Sequence, residues 1–336
     1  MKNEIRYNEI TILKVIAMFF ITWFHFKWFV PETYSFIFIG GAIGNSIFFF
    51  CSGFLLNIKE EKYCGQWLLN KYIRLMPVVW SYYIVVLIIE LIIDDQLIIP
   101  NLKEWLYPDQ FWFIQAILFY FFCIYIYNIF YKRHIRKNYT DKYIDVKLLS
   151  AIFVLIHILW YFLYVEKTKI VIDEGGIKSW FFWCLFFLWG YYCKTKDVYN
   201  KKIQKQVEKM PKWVVLTLPC LSIVMLFAYK HLFNNNIGSF LQFMIIPLIL
   251  FFIVYSFLLL SCILVNVPIP IICKKVLCYF SNITLEIYVV QMFLIKLIMS
   301  EFMFPVNIII SLCSIVIFAC VVNTMAIKIR KKLSFI

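Results

Sequence analysis

Charge is scarce in this chain: only 15% of its 336 residues are Asp, Glu, Lys or Arg, against 63% apolar, and the mean hydropathy is +0.82. That composition excludes an ordinary soluble domain, in which about a quarter of the residues are charged. Strict apolar–polar alternation is missing as well, which excludes a transmembrane β-barrel. The eleven cysteines form no CxxC pair and no Cys/His ladder with zinc spacing, so they read as small thiols buried in apolar runs. There is no GxSxG elbow to hold a nucleophilic serine. Internal repeats and paired glycine-broken spans, the marks of an inverted-repeat transporter, are also missing. No small-residue cleavage site follows the first apolar run, so that run is expected to be a retained helix and not a removed signal peptide.

Acidic residues are the rarer sign, 19 against 33 basic, and the formal net charge is +14. Nucleic acid is excluded as a partner by where the basic residues fall, between the apolar runs, where they set membrane orientation.

What the chain has in abundance is apolar sequence in lengths near the roughly 20 helical residues that cross a bilayer core of about 30 Å. Ten spans are expected: 10–30, 40–57, 75–93, 112–131, 148–164, 179–193, 213–229, 240–262, 276–299 and 306–326. The sixth is short and rich in aromatics. Most lysines and arginines lie in the N-terminal head, in alternate connections and in the tail KIRKKLSFI. The bias of short loops makes that side cytoplasmic and places both termini inside. The lysines of 193–212 are expected to orient the chain against anionic lipid, with a short amphipathic surface helix as the alternative. The expectation is one all-α polytopic membrane domain, 1–336. No connection is long enough to be a soluble catalytic domain, so any chemistry belongs within the helices or at their mouths.

Ionisable and polar residues inside spans are costly and therefore candidates for function. They are Lys14, His25, Glu90, His157 and Glu286, with Ser52, Gln115 and Gln291. At about 1.5 Å per residue, His25 lies about 16 Å beyond Lys14. An outer layer is expected to hold His25, Glu90 and Gln115, the last just after Trp112. An inner layer is expected to hold Lys14, Ser52, Lys71 and Arg74. A basic inner mouth suits phosphate, which the arginine fork matches, and a histidine farther out suits a general base acting on a hydroxyl. A ligand with a phosphorylated head and a long thin arm, the shape of coenzyme A, would connect the two. The bland readings stand beside these: Lys71 and Arg74 as orientation anchors, His25 and His157 as structural histidines, Ser52-Gly53 as a close helix contact, and Glu286 either paired with Lys14 or another polar group or lining the substrate path.

Five short signatures, in order, resemble the membrane-bound acyltransferase family 3. The first is Arg6, Thr11-Ile-Leu-Lys14, Ala17 and His25. Next come Phe48-Phe-Phe-Cys-Ser-Gly-Phe-Leu-Leu56 and the return marked by Lys71, Arg74 and Pro77. Trp112-Phe113-Ile114 follows, and then Ser281-Asn-Ile-Thr-Leu-Glu-Ile-Tyr288-Val-Val-Gln291. Three positions depart from the family pattern: Thr11 replaces an acid, Lys14 an arginine, and Gln291 a histidine. The resemblance implies an O-acetyltransferase of the bacterial plasma membrane. It would carry acetyl from cytoplasmic acetyl-CoA to a hydroxyl of a surface polysaccharide or lipid-linked glycan, without a metal. It implies catalysis by His25, oriented by Glu90, with Lys14, Ser52, Lys71 and Arg74 on the cofactor. Trp112, Gln115, Glu286, Tyr288 and Gln291 would face the acceptor. The alternatives are a glycan or lipid transporter and a non-catalytic assembly partner.

Overall fold

The computed structural model describes residues 8–56, 64–93, 100–134, 151, 154–155, 158, 177–195, 202–233 and 239–333. Among them the chain is all helix and turn: α1 (Asn8–His25), a 3-10 turn (Phe26–Trp28), α2 (Glu32–Ser35), α3 (Gly41–Phe54), α4 (Cys64–Ile93), α5 (Leu102–Leu106) and α6 (Trp112–His134). There follow α7 (Ile177–Thr195), α8 (Gln204–Lys209), α9 (Lys212–Phe233), α10 (Ser239–Asn266), α11 (Ile271–Asn282), α12 (Thr284–Met299) and α13 (Val306–Leu333). Nine of the ten expected spans coincide with helices. The remaining one, 148–164, falls almost wholly outside the described residues.

Among the described residues five helices are long and apolar enough to cross a membrane, and six if the broken pair α11–α12 counts as one crossing. The chain is therefore an all-α polytopic membrane protein. At 14 residues, α3 rises only about 21 Å, short of a full core. The run 276–299 is not one helix, because it breaks at Ile283, between Asn282 and Thr284. On α11, Ile271, Ile272, Val276 and Tyr279 are exposed, whereas α12 is buried along most of its length. Within 193–212, α8 is a single short turn of helix, and the Tyr255 hydroxyl of α10 donates to Gln206 Oε1 at 2.5 Å.

The chain divides into two compact units. The first comprises Met1–Ile21, Gly40–Leu56 and Asp145–Ser281. In it α3 lies against α7 with the backbones touching: a Cβ on Gly53 would strike the carbonyl of Phe187, and one on Gly190 the carbonyl of Phe50. Small residues are what permit such approach between membrane helices. Around this contact Phe49 stacks on Trp183 at 5.8 Å and Phe186 on Phe251 of α10 at 4.6 Å. Lys194 Nζ donates to the Leu56 carbonyl at 3.3 Å, just past the end of α3, and the Ser222 and Ser256 hydroxyls meet at 3.1 Å between α9 and α10.

The second unit comprises Thr22–Ile39, Asn57–Ile144 and Asn282–Ile336. Its spine is α4, 30 residues long with Pro77 inside, where the Ser81 hydroxyl donates to the Pro77 carbonyl at 2.7 Å. Helices α6, α12 and α13 pack on α4. The short α5 lies along its middle, held by Tyr72 to the Leu106 carbonyl at 2.8 Å and by Trp80 to the Trp105 carbonyl at 2.7 Å.

Candidate functional site

Of the eleven residues that the resemblance places in a site, Lys14 and Ser52 belong to the first unit and the other nine to the second. Lys14 donates to the Ser281 carbonyl. That carbonyl is one of the last of α11, where the helix dipole favours a cation. The Ser52 hydroxyl donates to the Phe48 carbonyl one turn back, at 2.8 Å, which is what a serine in a membrane helix does when it has no other task.

The second unit gathers its polar residues along α12. Nearest the start of that helix, Glu286 is 2% exposed and its Oε1 lies 3.7 Å from Arg330 Nη2 of α13. Arg74 of α4 is exposed, and its charge reaches Arg330. Half a turn along α12, the Tyr288 ring packs edge-on against Phe113 at 5.5 Å and beside Phe111 at 6.1 Å.

One turn further on, Gln291 is fully buried and its Oε1 accepts from the Thr22 hydroxyl at 2.8 Å. Its Nε2 is also buried and has no hydrogen-bond partner among the described residues. Thr22 stands three residues before His25 on α1, so the two share a helix face. The half-buried His25 ring ends α1 between Phe24 and Trp28, with centroids at 6.2 and 6.0 Å. By helix rise, Glu286 to Gln291 is about 7 Å and Thr22 to His25 about 4 Å. The unit thus carries a column of polar groups, with the Arg330 guanidinium beside Glu286 at one end and the His25 imidazole near Thr22 and Gln291 at the other.

The remaining residues stand beside the column. The Lys71 ammonium lies over the rings of Trp67 and Phe121 at 5.6 and 5.5 Å, a cation–π seat one turn from Arg74. Gln115 donates to Asp109 Oδ1 at 3.0 Å, and Asp109 in turn pairs with Lys103 at 2.5 Å. Trp112 is half-buried at the start of α6. Glu90, also half-buried, acts on Tyr82, and it lies about 10 Å along α4 from Tyr83, which packs on Phe111. His157 lies outside the described residues.

Sequence reasoning missed Thr22 and Arg330. One partner of Glu286 is Arg330, a polar group that the sequence had left unnamed. The signal was in the spacing of α13: Ser311, Ile315, Ala319, Val322 and Ala326 are its buried stripe, and Arg330 continues it by one more step of four.

Residues 7–325 match the family model described as an acyltransferase domain. The chain belongs to that acyltransferase family. Neither the curated proteins nor the solved structures contain a match. Membership supports a general acyl-transfer role, and the polar column lies inside the matched region except for Arg330, five residues beyond its end.

Proposed function

We propose that this acyltransferase is a membrane O-acetyltransferase, one that takes acetyl from cytoplasmic acetyl-CoA and passes it to a hydroxyl of a surface polysaccharide or lipid-linked glycan in a bacterial plasma membrane. Ten crossings with both termini inside fit this reading, since they leave a basic mouth open to a cytoplasmic donor. The observation that supports it is the column in the second unit, with guanidinium groups at one end and a histidine at the other, the layout that a ligand with a phosphorylated head and an extended arm calls for.

The thioester is held at the His25 end, with the cofactor phosphates toward Arg74. His25 takes the proton of the acceptor hydroxyl as its oxygen attacks the acetyl carbonyl. The carbon–sulfur bond breaks, and the leaving thiolate takes the proton back from the imidazolium. The unpartnered Nε2 of Gln291, one turn away, supplies a fixed donor where the carbonyl oxygen gains charge. Gln291 stands where the family pattern has a histidine and does not titrate, so a single imidazole carries the proton in both directions.

The test is transfer of radiolabelled acetyl from acetyl-CoA to candidate glycans by the purified full chain in nanodiscs. Label is expected in the glycan, free or lipid-linked, and none in the phospholipid of the nanodisc. Labelled phospholipid in place of glycan would overturn the acceptor, and no turnover of acetyl-CoA with any hydroxyl acceptor would overturn the reaction.

A further inference from the structure

Arg330 sits in a basic tail that sequence reasoning assigns to membrane orientation, yet its surroundings are those of a ligand site. Its Nη2 is 3.7 Å from Glu286 Oε1, while a charge-assisted bond would be about 2.7–2.9 Å. Glu286 therefore offsets its charge without engaging its donors. Arg330 Nε is buried and has no hydrogen-bond partner among the described residues. Arg74 lies on α4, a helix that packs on α13, and its charge acts on Arg330. Two positive charges stand against one carboxylate that is 2% exposed. The excess positive charge is partly solvated, with Arg74 exposed and the Arg330 side chain 31% exposed, so an anion can reach both groups from the solvent side.

We propose that Arg330 and Arg74 together form a binding site for a phosphate ester, with Glu286 as the counter-ion that keeps the Arg330 fork in place. A carboxylate offers two oxygens and satisfies one fork. Two forks projecting from separate helices call for a ligand with more oxygens, and a phosphate or diphosphate presents them to both. The site stands on the geometry of Arg330. The identity of its ligand rests on the reading above, under which it is the phosphorylated end of the acyl donor. The head group of an anionic lipid carries the same chemistry and is separated by experiment.

The experiment is calorimetric titration of the full chain in nanodiscs, at low ionic strength, with inorganic pyrophosphate and with coenzyme A. Wild-type protein is expected to bind both, and R330Q and R74Q each to bind about tenfold more weakly. R330K keeps the charge and the pair with Glu286 but loses the fork. It is expected to fall between wild type and R330Q, and it carries the test if R330Q folds poorly. Nanodiscs of phosphatidylcholine and of phosphatidylglycerol separate the sources. Loss of pyrophosphate binding only in phosphatidylglycerol assigns the phosphate to lipid, and equal binding in both assigns it to a soluble donor; either outcome keeps the site.

Pyrophosphate affinity unchanged in R330K and R74Q, even with a lowered melting temperature, would make the pair with Glu286 purely structural and end the proposal. Binding that depends on Arg330 in protein that transfers no acetyl would uphold this site and remove the acetyl-transfer reading. Transfer whose donor KM is the same in R330K as in wild type would do the reverse.

Discussion

In the first unit α3 meets α7 backbone to backbone at Gly53 and Gly190, and aromatic rings fill the space around that contact. In the second unit α12 meets its neighbours through Thr22 and Gln291, Glu286 and Arg330, and the Tyr288 and Phe113 rings. Apolar contact between membrane helices gains from close fit and leaves no group wanting a partner. Polar contact leaves donors and acceptors whose full satisfaction depends on what else enters the site. Under the function proposed above, the first unit holds its shape and the second receives the ligand, and mutation of each tests the separation.

The largest effect is expected from His25→Ala, which should lower acetyl transfer by about 10²–10⁴-fold while the melting temperature in detergent stays near that of wild type. Transfer within a factor of a few of wild type would take His25 out of the chemistry and dissolve the contrast. In the first unit, Gly53→Leu is expected to destabilise by about 3 kcal/mol or more, since the side chain must displace the Phe187 backbone. Size-exclusion profiles and thermal melts should show loss of folded protein, and a monodisperse variant of normal stability would mean that the α3–α7 approach is not tight.

Gln291→Leu removes the acceptor of the Thr22 hydroxyl and the Nε2 donor together. It is expected to cost about 1–3 kcal/mol, which appears as a roughly tenfold or greater fall in kcat with a smaller change in donor KM. A change confined to stability would assign Gln291 to the first kind of contact. The smallest effect is expected from Ser222→Ala, which breaks a hydroxyl pair inside the first unit. About 1 kcal/mol or less of stability should be lost, with transfer unaltered; a fall in kcat there would show that the chemistry reaches beyond the second unit.

Much of this arrangement was legible beforehand, for reasons that differ by residue. The helices could be read because apolar runs of crossing length have few alternatives in a membrane. His25 and Gln291 could be singled out because polar side chains are rare in such runs, so each one stands out. Ser52-Gly53 was readable as a helix contact because glycine beside serine leaves room for a second backbone. The pair Glu286–Arg330 was not readable. Arg330 lies in the run KIRKKLSFI, where positive charge already has an explanation in loop bias, and only the rotation of α13 shows that one of those charges faces inward. The break at Ile283 was hidden too, because hydropathy averaged over a window does not register where α11 stops and α12 begins.

By itself the sequence determined that this chain lives in a membrane as helices, that its charges gather between them, and that it belongs among acyltransferases, because composition and run length are properties of the chain alone. Only the tertiary structure decided which polar residues meet. A partner such as Arg330 for Glu286, or Thr22 for Gln291, is chosen by how helices far apart in sequence are rotated against one another. That rotation comes from the packing of whole faces, which no single segment carries.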